Sequence, residues 1–193
     1  MKLSGNDDGL NALAALLRRA APGHDRLPPV EQWNPPDCGP VDIRIDRDGV
    51  WSYMGSPIRR DALVRLFSTV LTRGDDGLYR LVTPVEKMTI SVEDVPFLAV
   101  EMHAGGKGRD QVLTFRTNLG DVVSADRDHP LRFAGDAEHA FVPYVMVRRG
   151  LEARLTRALA FDLADLVDND DEGRDGFWSG GAFFPIDLEQ EPM

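Results

Sequence analysis

Cysteine is nearly absent. Cys38 is the only one in 193 residues, so no disulfide can close within the chain and a cysteine metal cluster is excluded. Long apolar runs are missing as well, and none approaches the roughly 18 residues of a membrane span. Positive charge is in deficit: 22 Lys and Arg stand against 32 Asp and Glu, a formal net charge of −10. Such a chain repels phosphate backbones and anionic lipid at long range, which argues against nucleic acid and membrane as partners. The four histidines, His24, His103, His129 and His139, form no i, i+4 pair and no HExxH, so zinc is unsupported. There is no GxSxG, and Cys38 lies among prolines, so no nucleophile is marked. The opening MKLSGNDDGL turns acidic before any apolar run, unlike a secretory signal. A cytoplasmic protein without metal or other cofactor is expected.

What is present suits one large domain or two small ones. With 42% hydrophobic and 28% charged residues, the chain can bury a substantial core. Leu10, Leu13, Leu16 and Leu17 share a helical face behind Asp7 and Asp8. Pro22, Pro28, Pro29, Pro35, Pro36 and Pro40 then make residues 22–40 an irregular arm, which Val30 and Trp33 should anchor. Val41, Ile43 and Ile45 alternate with charged residues as a half-buried strand, and Asp48-Gly49 marks a hairpin. Leu63, Leu66, Phe67, Val70 and Leu71 predict a helix from Arg60 to a cap at Gly74. Strands are expected at Leu78–Val82, Val85–Val92, Phe97–Met102, Val112–Thr117, Asp121–Ala125, Pro130–Phe133 and Pro143–Arg148. Gly150 should hand over to the longest helix, since Leu151, Leu155, Leu159, Leu163 and Leu166 follow spacings of four and three.

The chain is thus expected to be α+β, with mostly antiparallel sheets plus helices. A helix and arm over 1–40 precede a first α+β half over 41–97 and a second over 98–193. Two segments echo each other, Val41–Arg73 and Val112–Asp168. Trp51-Ser52 and Trp178-Ser179 are each followed by glycine and then Pro-Ile, a weak sign of duplication.

Polar residues that could carry chemistry concentrate around the middle. Thr83, Glu86, Lys87, Glu93 and Asp94 fall within 12 residues. On a strand from Val85 to Val92, Glu86 and Lys87 face opposite sides. Lys87 could hold an anion as a point charge; the plainer alternative is a surface ion pair. Glu93-Asp94 before Pro96 could serve acid–base work, or simply turn chemistry. Arg148-Arg149-Gly150 at a helix start would suit an anion, because free backbone N–H groups gather there. Arg116 and Asn118 lie in a second polar stretch that could complete such a site. The GGKG at Gly105–Gly108 lacks the spacing and the Ser or Thr of a phosphate loop and reads as a hairpin tip.

Ten short stretches resemble a bacterial family known as domain of unknown function 1285. They are WNP at 33–35, DGVW at 48–51, GSPI at 55–58, LFSTVL at 66–71, LVTPVEK at 81–87, VEDVPF at 92–97, FRTNLGD at 115–121, DHPLR at 128–132, RRGLEARLTRAL at 148–159 and WSGGAFFP at 178–185. They run in order over nearly the whole chain. The resemblance implies two halves with a duplicated core, the second similar to a pleckstrin-homology-like fold. It also implies a small, nucleotide-like ligand at the seam between halves, in a signalling setting, and it supplies no reaction.

The reading that follows is a non-catalytic ligand-binding or sensor module for a small anion. The residues expected to serve it are Thr83, Glu86, Lys87, Glu93, Asp94, Arg116, Asn118, Arg148 and Arg149. A protein–protein adaptor is the alternative, and an acid–base enzyme using Glu86, Lys87 or Asp94 a third.

Overall fold

The computed structural model describes residues 27–135, 141–187 and 189–190. The helix expected over Leu10–Arg19 lies outside the described residues, as do His24 and His139. The chain divides into two units, one ending at Asp94 and the other beginning at Val95. Each is mostly β, with two α-helices in all among the described residues.

The first unit holds β1 (Asp37–Ile45), β2 (Trp51–Tyr53), β3 (Ser56–Pro57), α1 (Asp61–Thr69), β4 (Leu71–Arg73), β5 (Tyr79–Val82) and β6 (Lys87–Val92). The strands form one sheet in the order β3-β2-β1-β6-β5-β4, with β1 and β6 parallel at its centre. The strand alternation seen at Val41–Ile45 extends back through Pro40 to Asp37. A proline fits there because the β1–β6 register shifts on both sides of Pro40. The first hairpin turns where Asp48-Gly49 marks it. The Asp46 carboxylate accepts the N–H groups of Asp48 and Val50, both at 2.9 Å. Helix α1 connects the two edges of this sheet and buries Leu63, Val64 and Phe67. Phe67 lies 6.3 Å from the Trp51 ring. This helix stops at Thr69 rather than Gly74. Leu71–Arg73 pairs instead with β5, so Gly74–Gly77 is a hairpin turn and not a helix cap.

The second unit holds β7 (Phe97–Gly105), β8 (Val112–Thr117), β9 (Val122–Ser124), β10 (Leu131–Gly135), β11 (Val142–Arg148), β12 (Leu151–Leu155) and α2 (Arg157–Ala164). After these come β13 (Asp168–Asn169), β14 (Asp175–Ser179), β15 (Ala182–Pro185) and β16 (Glu189–Gln190). The main sheet runs β16-β10-β11-β12-β7-β8-β9, and β13-β14-β15 form a small separate one. Strands β7 and β12 pair in parallel at the junction of the two meanders, and β16 pairs in parallel with β10. One cross-strand row, Leu131, Val145, Ala153 and Phe97, is buried throughout. Helix α2 packs on β7 and β12, giving the strands-then-helix order of a pleckstrin-homology-like half.

The long helix expected from Leu151 is not there. Leu151, Ala153 and Leu155 are buried on a strand paired on both sides, by β11 and β7. The leucine spacing fitted a helix, but the same residues alternate with period two, and pairing on both edges decides between them. The repeat also differs from the expected one. Strands β1 to β6 and β7 to β12 share one order, in which two three-stranded meanders join through the first and last strands. Trp178 lies in β14, outside that repeat, whereas Trp51 lies in β2.

Candidate functional site

Thr83, Glu86, Lys87 and Glu93 each make contacts within the first unit. Thr83 is buried, and its hydroxyl organises the turn before β6. It accepts the N–H groups of Val85 at 3.2 Å and Glu86 at 3.0 Å and donates to the Glu86 carbonyl at 3.1 Å. Glu86 therefore sits in that turn and not on a strand, since β6 begins only at Lys87. Lys87 is half-buried, with its Nζ 3.9 Å from an Asp37 carboxylate oxygen. Glu93 pairs with the Arg44 guanidinium and accepts the Arg47 N–H at 3.1 Å. The Arg44 bond holds its carboxyl below the usual range. Asp94, half-buried, is the last residue of the unit.

In the second unit the polar residues separate into two groups. Arg116 lies on the exposed face of β8, opposite Glu101 of β7, and binds both of its carboxylate oxygens. Asn118 belongs instead to the β8–β9 turn. Its Oδ1 accepts the Leu98 N–H at 3.1 Å, and its own N–H donates to the Leu98 carbonyl at 2.8 Å. The turn is thereby tied to the start of β7. Thr117 holds the same turn together by accepting the N–H of Asp121 at 3.0 Å. Asp121 then pairs with Arg148 at the end of β11. The Arg148 guanidinium lies 4.9 Å from the centre of the Phe97 ring, and its side chain is only 11% exposed. Burial pushes the Arg148 pKa down, against the pull of Asp121.

Arg149 follows directly, with φ +49, and Gly150 with φ +75. These two residues form the tight hairpin between β11 and β12. The helix N-terminus expected beside the two arginines is therefore absent. A two-residue turn of this hand requires left-handed backbone at both positions, which glycine adopts freely and arginine only at a cost. The structure thus gathers Asn118, Arg148 and Arg149 at one end of the second unit's sheet, around Phe97 and Asp121. Arg116 faces away with Glu101.

Sequence reasoning missed two internal polar groupings. Arg132 of β10 makes two bonds to Glu152 of β12, at 3.0 and 2.9 Å, and its guanidinium lies 4.1 Å from the centre of the Tyr144 ring between them. The signal was a charged residue flanked by apolar ones in each of two strands, as in Leu131-Arg132-Phe133 and Leu151-Glu152-Ala153. The second grouping fixes the C-terminal hairpin. The buried Ser179 hydroxyl donates to the Ala125 carbonyl at 2.6 Å and accepts the Leu113 N–H at 2.9 Å. The Gln111 side chain donates to the Trp178 carbonyl at 2.9 Å. A side chain at Gly180 would meet the Ala125 carbonyl oxygen at 2.9 Å, so the WSGG stretch is a close-fitting latch.

Other chemistry finds no assembly here. No group of three or more His, Cys, Asp or Glu among the described residues is placed to hold a metal. No helix among them is long and apolar enough to cross a membrane. His129 lies in a turn, its Nδ1 3.2 Å from Asp126. The GGKG stretch is a tight corner in which a Cβ on Gly106 would lie 2.3 Å from the Asp110 carbonyl oxygen.

Two tandem units sharing one strand order, with a buried arginine at one sheet end, define a two-domain, mostly β protein. The chain belongs to the DUF1285 family. The family's N-terminal domain of unknown function matches residues 28–95, and its C-terminal domain, also of unknown function, matches residues 96–186. The chain is similar to a DUF1285 family protein from Silicibacter pomeroyi DSS-3 of known crystal structure. The two are 48% identical over 89% of this chain and 93% of that one, with a TM-score of 0.80. It is also similar to a DUF1285 family protein from Shewanella baltica OS155, at 26% identity over 66% of this chain and 94% of the other, with a TM-score of 0.52. No curated protein matches the chain.

Proposed function

We propose that the protein is a non-catalytic cytoplasmic binding module for a small anion, nucleotide-like in size, and that it acts in signalling. The observation that carries this reading is the sheet end around Arg148. A guanidinium there is desolvated against Phe97, and an adjacent arginine is kept on a strained turn. Strained backbone tends to persist where function requires a particular side chain. Asn118 and Thr117 hold the neighbouring turn rigid, and a preorganised cationic edge favours an anion over bulk water. Catalysis is disfavoured by the carboxylates. Asp76, Glu93 and Glu101 are each held below the usual range by a bonded arginine, the opposite of what a general acid needs.

Thermal-shift measurements with inorganic phosphate and a panel of nucleotides test the reading. A ligand that raises Tm in the native protein should lose that effect in Arg149→Gly, whose backbone suits the turn and whose own stability should not fall. Absence of any ligand-dependent shift, or a shift retained in Arg149→Gly, would sink it.

A protein-binding adaptor is the second reading. It is favoured by Phe161 on α2, which is 62% exposed beside Arg157. A partner whose binding is lost in Phe161→Ser, with the fold intact, would favour it over the first.

A further inference from the structure

Every sheet edge among the described residues carries a device that stops further pairing, except one. An edge strand offers unpaired N–H and C=O groups, and folded proteins blunt such edges with proline, charge or a cover. At β3 the residue whose backbone points outward is Pro57, which has no N–H. At β15 the outward positions include Pro185. At β4 they are Leu71, which is 1% exposed, and the charged Arg73. At β13 the outward residue is Asn169. Its N–H donates to the Asp168 carboxylate at 2.8 Å, and its carbonyl accepts the Trp178 indole N–H at 3.3 Å. Strand β10 is covered by β16, whose own edge is only two residues long.

Strand β9 has no such device. Its partner is β8, in a register that sets Thr114 opposite Ser124 and Arg116 opposite Val122. The flanking bonds, Ala125 N–H to the Leu113 carbonyl and Thr117 N–H to the Asp121 carbonyl, both 2.8 Å, fix which residues bond inward. Hydrogen-bonded pairs alternate along an antiparallel ladder. Val123 therefore bonds to Phe115, while the backbone groups of Val122 and Ser124 point outward. Neither finds a backbone partner among the described residues. Val122 is 66% exposed, and the strand Val-Val-Ser bears neither charge nor proline.

We propose that this edge pairs with the same edge of a second copy of the chain, antiparallel and two-fold symmetric about Val123. The outward groups select that occupant. Val122 and Ser124 lie one residue to either side of Val123, so a two-fold axis there sets Val122 of one copy opposite Ser124 of its partner, and vice versa. All four N–H and C=O pairs then close on themselves, which is the self-complementarity an isologous interface needs. The side chains agree. Ser124 is already bonded to Thr114 at 2.9 Å, so each exposed valine meets a neutral hydroxyl pair. Among the neighbouring charges, Arg116 pairs with Glu101 and Asp121 with Arg148 within one copy. The contact is short, so the dimer is reversible and concentration-dependent. Because each copy carries −10, added salt strengthens the association by screening their repulsion.

Sedimentation velocity on the full chain, from micromolar to millimolar concentration and at two salt levels, tests this. Two variants leave the core residue Val123 untouched. Ser124→Pro deletes an outward N–H and no backbone bond to β8, losing only the hydroxyl contact with Thr114; Val122→Lys adds the charge that edges use as a guard. Expected is a monomer–dimer equilibrium, tighter at high salt, weakened about tenfold or more by each variant, with circular dichroism and Tm near those of the native chain. A chain that stays monomeric at millimolar concentration overturns the proposal. So does a dimer that both variants leave intact, or an edge filled by a different protein's strand while self-association is absent. If Ser124→Pro fails to fold, Val122→Lys alone decides.

Discussion

The two units use one strand order to opposite electrostatic ends. In each, two meanders meet at a central parallel pair, β1 with β6 and β7 with β12. The first unit keeps most of its charges outside, Arg80 excepted, whose side chain is 15% exposed and bonded to Asp76. Arg44 with Glu93 and Lys87 with Asp37 are exposed or half-exposed, and α1 joins the sheet's two edges. The second unit draws charges in. Arg148 and Glu152 are largely buried, each in an ion pair with an aromatic ring close by. Exposed ion pairs add little to stability, whereas burying a charge is costly unless it is well paired. The same topology is thus built once with few internal charges and once with a buried charged residue at two separate places. The second unit is the better place to look for a site.

The sharpest way to break that contrast is through the cores. Phe67→Ala, at a side chain with no exposure, should cost about 3–5 kcal/mol. Urea unfolding followed by tryptophan fluorescence reads this. A cost no larger than that of a surface substitution would mean that α1 does not close the first unit.

A smaller effect separates the two kinds of ion pair. Arg148→Met leaves Asp121 partly buried without its partner and should cost about 2 kcal/mol. Arg44→Met should leave the urea midpoint unchanged. The pH profile should divide the same way. Asp76, Glu93 and Glu101 titrate lower when folded than unfolded. Their contributions are therefore complete above the ordinary carboxylate pKa of about 4 and decline as pH falls below it. Stability should be flat across neutral pH in both Arg148→Met and the native chain, and drop only in acid. A step near pH 6 to 7 would contradict this.

The smallest effect compares two matched turns. Met54-Gly55 joins β2 to β3, and Arg149-Gly150 joins β11 to β12, each with left-handed backbone at its first residue. Asparagine tolerates that conformation, so Met54→Asn and Arg149→Asn should each raise stability by up to about 1 kcal/mol. Equal gains would mark both turns as unoptimised scaffold. A gain in Tm at 149 together with lost ligand response would mark Arg149 as retained for binding.

Local signals carried much of this architecture. Asp48-Gly49 announced its hairpin through turn chemistry, and Val41–Ile45 its strand through alternation, because neither needs a distant partner to be legible. Residues 151–155 were misread because the leucines satisfy two periods at once, and only pairing with β7, more than 50 residues earlier, chooses between them. The candidate site suffered likewise. Arg148 and Asn118 were picked for their chemistry, but Phe97 of β7 and Asp121 of the β8–β9 turn, which fix Arg148, lie far from it in sequence. Arg132 and Glu152 lie 20 residues apart and meet only across β11. Glu86 was placed on a strand because the hydroxyl of Thr83, which ends the strand pattern there, acts through bonds that spacing does not reveal.

The Ser179 hydroxyl has a consequence for the order of synthesis. It bridges the Leu113 N–H and the Ala125 carbonyl, groups made more than 50 residues before it. While the chain emerges from a ribosome, β8 and β9 lack that bridge until Ser179 has left the exit tunnel. The first unit needs nothing beyond Asp94 to complete its sheet. Domains made first generally fold first, so a nascent chain paused between these points would carry one finished unit and one waiting for its latch.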